Sequence, residues 1–239
     1  MDHRIFVFTV HKAASLGVYD VMRVVAGKEG WPLHSANLKR ANLIEPEEPG
    51  DPNFSHQLGG KTGLVGPVRM PVKLDAGEVE RDRFILHLRD PRDVLVSMFY
   101  SWSYSHPGVN DAYREELRAK GVNEFVRNNS PALKSKYELY VRDYLSMQHT
   151  SLLRYEDFVL DRPRWLEQFL NAAGVEDGLR RYGRLAKKNP AEKVQVEDIN
   201  AHIRKATPGD YREKLDPETI TTLNDEWGDT LRALKYSVD

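Results

Sequence analysis

The chain contains no cysteine. Disulfide frameworks, thiol nucleophiles and Cys-ligated metals are therefore excluded, and the composition suits a reducing compartment such as the cytoplasm. No apolar run approaches the roughly 18 residues needed to cross a bilayer as a helix. Excess charge is missing too: 35 Lys and Arg against 36 Asp and Glu give a net charge of −1. Bulk attraction to nucleic acid or to a membrane surface is not expected, and any anion site must be local. The G-x-x-x-x-G-K-[ST] phosphate loop is absent. Without its Lys-Ser/Thr pair, nothing stands ready to hold Mg²⁺ beside a triphosphate, which counts against an ATPase or kinase. Internal repeats and low-complexity tracts are also lacking. An apolar run opens already at Ile5, so no signal peptide is expected ahead of it.

What is present is globular material. Of 239 residues, 40% are hydrophobic and 30% charged, enough to bury a core in a single domain spanning residues 1–239. The stretch over residues 83–102, RFILHLRDPRDVLVSMFYSW, organises the rest. Its apolar run 84–88 suits a strand buried on both faces of a parallel sheet. Arg89 stands at the strand's end. Asp90 is placed as helix N-cap, with Pro91 at the first helical position and Asp93 in the first turn. Val94, Leu95, Met98 and Trp102 then recur at helical spacing, with Ser97 among them. Residues 5–10, IFVFTV, repeat the strand signal. They run into His11, Lys12, Ala13, Ala14, Ser15, Leu16 and Gly17, after which Val18, Val21, Met22 and Val25 mark a helix ending near Gly27 and Gly30. A strand, a loop of small residues with a Lys, and a helix form the layout whose N–H groups cradle phosphate.

Strands are further expected at 33–37, 65–72 and 151–154, and helices at 111–127, 134–147, 161–173 and from Asp216-Pro217 onward. Tyr137, Tyr140 and Tyr144 read as a core-facing stripe. Residues 42–61, rich in Pro, Gly and acids, read as a long loop over an acceptor site. Residues 183–200 show little periodicity. Pro208-Gly209 marks a turn behind the cations Arg204 and Lys205. The alternation of strands and helices points to an α/β protein: a three-layer, P-loop-like fold with a central parallel sheet flanked by helices. The cations at Lys12, Arg89 and Arg204-Lys205 are far apart in sequence, and a phosphate-bearing ligand is the simple reason to gather them.

These residues resemble a family, the sulfotransferases that use 3′-phosphoadenosine 5′-phosphosulfate (PAPS). HKAAS at 11–15 resembles the phosphosulfate loop, in the wording found in some carbohydrate sulfotransferases. RDPRDVLVS at 89–97 resembles the 3′-phosphate motif, RYEDF at 154–158 the Tyr-Glu-Asp segment beside adenine, and RKATPGDY at 204–211 the late loop that closes over the cofactor. The resemblance implies that Lys12, Ser15 and the backbone of Ala13, Ala14 and Leu16 contact the 5′-phosphosulfate. It implies that Arg89 and Ser97 hold the 3′-phosphate with Arg204, Lys205 or the amide of Ala206, and that Tyr155 lies by adenine. Sulfuryl transfer would then run in line without a metal, leaving PAP, with Lys12 following the charge on the leaving oxygen.

Four positions depart from the family. Pro67 stands where many members carry a Lys, and Arg69 where they carry the His that accepts the acceptor's proton; arginine is no base near neutral pH. His34, His56, Glu45 and Asp51 are the candidates to replace it, with His56 favoured. Gly17 lacks the adenine-stacking Trp, and Ala206 replaces a Gly. The acceptor is expected to be a small-molecule, lipid or carbohydrate hydroxyl or amine. Two other readings stand beside this one: a catalytically degenerate relative that only binds PAP or PAPS, and a P-loop kinase.

Overall fold

The structure, a computed structural model, describes residues 2–35, 42–44, 46, 48–49, 51–74, 79–187, 198 and 207–238. The chain divides into two compact units, residues 1–88 with 142–188 and residues 89–141 with 189–239.

The first unit carries the sheet. Its strands are β1 (Arg4–Thr9), β2 (Leu33–His34), β3 (Gly63–Val68), β4 (Arg83–Leu88) and β5 (Thr150–Arg154), in the order β2-β3-β1-β4-β5. Every pairing is parallel. β1 and β3 are buried along their whole length, as expected for apolar strands covered on both faces. The register runs from Ile5 opposite Arg83 to Thr9 opposite His87, so β1 and β4 finish side by side at their carboxyl ends. Buried Arg4 clamps the other end, its guanidinium 2.6 Å from Asp82.

Side chains alternate across the sheet. On one face Phe6 stacks on Phe84 at 5.6 Å, and Phe8 meets Tyr144 at 4.7 Å. Tyr144 donates its hydroxyl to the Val72 carbonyl. His87 points to the opposite face, where Trp165 and Phe158 cover it. The helices of this unit are α1 (Ser15–Glu29) and α2 (Pro52–Leu58), followed after β5 by α5 (Tyr155–Leu160), α6 (Arg162–Ala172) and α7 (Gly178–Ala186). α1 buries Val18, Val21, Met22 and Val25, the stripe read from the sequence. α6 turns Trp165, Leu166, Phe169 and Leu170 inward.

The second unit is helical. α3 (Pro91–Tyr100) starts on an Asp90 cap that accepts from the Arg92 N–H, and a π-helical turn, Ser101–Ser105, follows it. α4 (Asp111–Asp143) has a break at Gly121, where φ is 79°, and its last two residues belong to the first unit. α8 (Tyr211–Lys214) and α9 (Pro217–Ala233) complete it. Trp227 of α9 is fully buried, packs edge-on against Tyr137 and donates its indole N–H to Ser130 at 2.8 Å. The last helix thus docks on α4, where Tyr137 and Tyr140 are buried; Tyr144, just past α4, is buried as well, whereas Tyr113 near its start is 40% exposed.

Several boundaries differ from expectation. Residues 42–61 are not all loop: Asp51 caps α2 by accepting from the Asn53 N–H, and Phe54 and Leu58, one turn apart, are buried. One apolar pair is too short a pattern to stand out amid Pro and Gly. α7 takes in residues 183–186 of the stretch read as aperiodic. The helices expected at 111–127 and 134–147 join through residues 128–133, with Pro131 inside. The helix expected to reach Trp102 gives way to the π turn at Ser101. Among the described residues no helix is long and apolar enough to cross a membrane, and no cluster of three or more His, Asp or Glu offers a metal site.

Candidate functional site

The loop after β1 has an unusual backbone. Lys12 and Ala14 both adopt the left-handed conformation, with φ of 67° and 56°. Two non-glycine residues so close in that region store strain, which persists where the surroundings over-determine it and concentrates at ligand clamps. Ala14 is also the N-cap of α1, yet no side chain caps this helix, and its first turn holds no acid. The partial positive charge of the helix start is left to whatever anion the loop receives. Lys12 is half-buried beside it, Ser15 opens the helix, and Leu16 is 54% exposed, on the face of α1 opposite its buried stripe.

The loop is tied to the sheet through Ala13. The imidazole Nε2 of His87 lies 2.9 Å from the Ala13 carbonyl oxygen, and Trp165 donates its Nε1–H to Nδ1 at 3.1 Å. His87 is fully buried, and burial pushes its pKa down to about 3, so the ring is neutral. Phe158 stands beside it, 5.4 Å between ring centroids. A side-chain carbon at Gly17 would come within 2.8 Å of the tip of that phenyl ring. The absence of a large residue at 17 is thereby explained: Phe158 occupies the space. Buried Arg162 lies over the other side of the cluster, 3.7 Å from the Phe158 ring, and its own burial lowers its pKa to about 10. Tyr155, 5% exposed, opens α5 with its ring 6.5 Å from that of His87.

In the second unit Arg89, the residue after β4, is 6% exposed. Its guanidinium is 3.6 Å from Asp93, one turn into α3, and Tyr137 donates its hydroxyl to the Arg89 carbonyl at 2.6 Å. The pairing with Asp93 is buried, not the surface ion pair that the sequence alone would equally allow. Asp93 also accepts from the backbone N–H of Gly209 at 2.7 Å and of Tyr211 at 3.0 Å. One carboxylate thus holds both the cation and the turn 207–211. Burial raises its pKa against the pull of Arg89 and the two N–H groups. Arg92, 1% exposed, chelates Asp90, donates to Asn224 at 2.7 Å and to the Ser237 carbonyl at 2.9 Å, and covers the Tyr211 ring at 4.2 Å. Ser97 is half-buried on α3. Arg204, Lys205 and Ala206 lie outside the described residues.

The candidate bases fall into different places. His34 is engaged at both nitrogens, accepting from Asn42 at 3.3 Å and donating to the Thr62 carbonyl at 3.1 Å, and burial lowers its pKa. Asp51 is spent as the cap of α2. His56 lies on α2 and is exposed, not in a loop as expected from its Gly neighbours. Glu45 is outside the described residues, and Arg69 is half-buried just past β3.

Sequence reasoning missed two residues here. His87 sits inside the strand run FILHL, where a lone polar residue must find partners once buried. Asp93 looks like a charge for the helix dipole; the fully buried carboxylate has no sequence signal beyond its place four residues after Arg89.

Among curated protein sequences none matches the chain. The crystal structure of mouse sulfotransferase SULT7A1 complexed with PAP superposes with a TM-score of 0.54 at 17% identity, covering 98% of this chain and 89% of the other. Retinol dehydratase in complex with androsterone and inactive cofactor PAP gives 0.54 at 15% identity, over 96% of this chain and 80% of that one. At such identities the likeness is one of fold. Residues 79–234 match the family described as "Sulfotransferase domain", a match that takes in Arg89, Ser97 and Tyr155 and begins after the Lys12 loop. The chain belongs to the sulfotransferase domain family.

Proposed function

We propose that the chain transfers a sulfuryl group from PAPS to a hydroxyl or amine of a small-molecule, lipid or carbohydrate acceptor, with residues 1–239 acting as one domain in the cytoplasm. The observation that carries this is the loop at 12–14. Two strained left-handed residues present a Lys and an uncapped helix start at the carboxyl end of the central strand, a receptacle for a doubly charged group.

Lys12, Ser15 and the backbone of Ala13, Ala14 and Leu16 hold the 5′-phosphosulfate. Arg89 and Ser97 hold the 3′-phosphate, joined by Arg204, Lys205 or the amide of Ala206. Tyr155 lies by adenine, and Phe158 supports the wall where Gly17 leaves space. A planar Arg fork suits a phosphate dianion, and Lys supplies a point charge where the leaving oxygen gains charge. The acceptor oxygen or nitrogen forms a bond to sulfur as the bond from sulfur to the 5′-phosphate oxygen breaks. That oxygen departs with PAP under the charge of Lys12, and the acceptor's proton goes to a base. We assign the base to His56. It is exposed on α2, whereas both nitrogens of His34 are occupied and Asp51 is a helix cap.

The test is transfer of labelled sulfate from PAPS across a panel of phenols, aliphatic alcohols, amines, sterols and sugars. A labelled product from any class supports the reading, and the class identifies the acceptor. Arg69 in place of the usual His favours a second reading, a relative that binds PAP without turnover. PAP binding with no product from any acceptor establishes that one instead.

A further inference from the structure

We infer that His87 is a positioning residue: it holds the phosphosulfate loop in its strained form by fixing which way the peptide between Ala13 and Ala14 faces. The inference rests on the reading of the loop as the 5′-phosphosulfate site.

The chemistry of the contacts leaves one arrangement of protons. An indole N–H only donates, so Nδ1 of His87 is the acceptor toward Trp165 and Nε2 must carry the proton. That proton is given to the Ala13 carbonyl, 2.9 Å away. Because a trans peptide is planar, with C=O and the following N–H pointing in opposite directions, drawing the Ala13 oxygen inward turns the Ala14 N–H outward, to the side an anion approaches. It also removes a carbonyl dipole that would repel the anion. Ala13 lies between the two left-handed residues Lys12 and Ala14, so the contact is made at the centre of the strained segment. The ring itself cannot drift. It is fully buried in β4 opposite Thr9, with Phe158 and Trp165 rings each 5.4 Å from it. Burial keeps the imidazole neutral, which preserves the donor-and-acceptor pattern across the working pH range. Trp165, His87 and Ala13 therefore form a relay from the core of α6 to the loop.

The experiment compares the affinities of PAP and of adenosine 3′-monophosphate, which lacks the 5′-phosphate, by calorimetry. Their ratio isolates what the loop contributes. In His87→Leu the ratio falls about tenfold, the loss that accompanies one buried hydrogen bond, while affinity for the 3′-monophosphate stays within about threefold. His87→Gln, which keeps a donor toward Ala13, restores most of the ratio. Trp165→Phe, which removes the indole N–H together with part of a buried ring, lowers the ratio in the same direction and serves if His87→Leu does not fold. A general loss of packing would lower both affinities alike. If wild-type chain shows the ratio and these variants leave it unchanged, the inference is overturned and the functional reading survives. If wild-type chain binds neither nucleotide, the functional reading falls and takes the inference with it.

Discussion

Lowering the pH should destabilise the protein through one buried imidazole, by an amount the structure sets. The ordinary value for histidine is 6.5, and burial holds His87 near 3 in the folded chain. The unfolded chain binds a proton at this residue below pH 6.5 and the folded chain does not, so the contribution to stability is complete above 6.5 and drains away as pH falls toward 3. Over the whole window the shift corresponds to about 5 kcal/mol, and a drop from about pH 7.5 to about pH 5 already costs about 2 kcal/mol. That is a large share of the roughly 5–15 kcal/mol typical of a domain. The assay is urea unfolding followed by circular dichroism at a series of pH values, for wild type and for His87→Gln. The variant starts lower because it fits the Trp165 and Ala13 partners less well, but its curve falls less steeply below pH 6.5. Curves that fall in parallel would show that His87 is not held neutral in the core, and the tautomer argument for the loop would go with it.

Other consequences concern the ligand sites. Arg89→Ala should weaken PAP binding by about 2–4 kcal/mol, as when one partner of a hydrogen-bonded charge pair is removed; calorimetry giving an unchanged affinity would remove Arg89 from the 3′-phosphate. Lys12→Ala should lower kcat more than it lowers affinity for PAP, because its contact strengthens as the leaving oxygen charges. A pure affinity loss with normal turnover would refute that role. Asp93→Asn cannot accept from both Gly209 and Tyr211 while facing Arg89, so hydrogen exchange at those two amides should quicken by about tenfold or more. Unchanged protection would mean that the turn is held by something else.

Much of the framework was legible because local signals agreed with one another. IFVFTV and FILHL are apolar without alternation, which only a two-sided burial satisfies, and both are strands of a parallel sheet. Asp-Pro at 90–91 and 216–217 marked helix starts, and each Asp caps its helix as read. Leu223, Trp227, Leu231 and Leu234 recur at helical spacing, and all four are buried. The failures have a different cause. α2 rests on one buried pair, and α4 continues through Pro131 because long-range packing overrides local preference. The site divides the same way. Cations and small residues in strand-to-helix turns are what the sequence offers toward an anion site, since their chemistry is visible one residue at a time. The left-handed backbone at Lys12 and Ala14, the turn held by Asp93 and the relay through His87 are products of tertiary geometry. His87 is separated from Ala13 by 74 positions, and no spacing rule reaches that far.

The central claim is that this chain grips an adenosine phosphorylated at both its 3′ and 5′ positions. Calorimetric titration of the wild-type chain with PAP and with adenosine 5′-monophosphate tests it most directly. The account predicts one PAP per chain, bound at least about 30-fold more tightly than the monophosphate, the ratio that corresponds to roughly 2 kcal/mol from the 3′-phosphate. Equal affinity for the two nucleotides, or no heat from PAP, would contradict it.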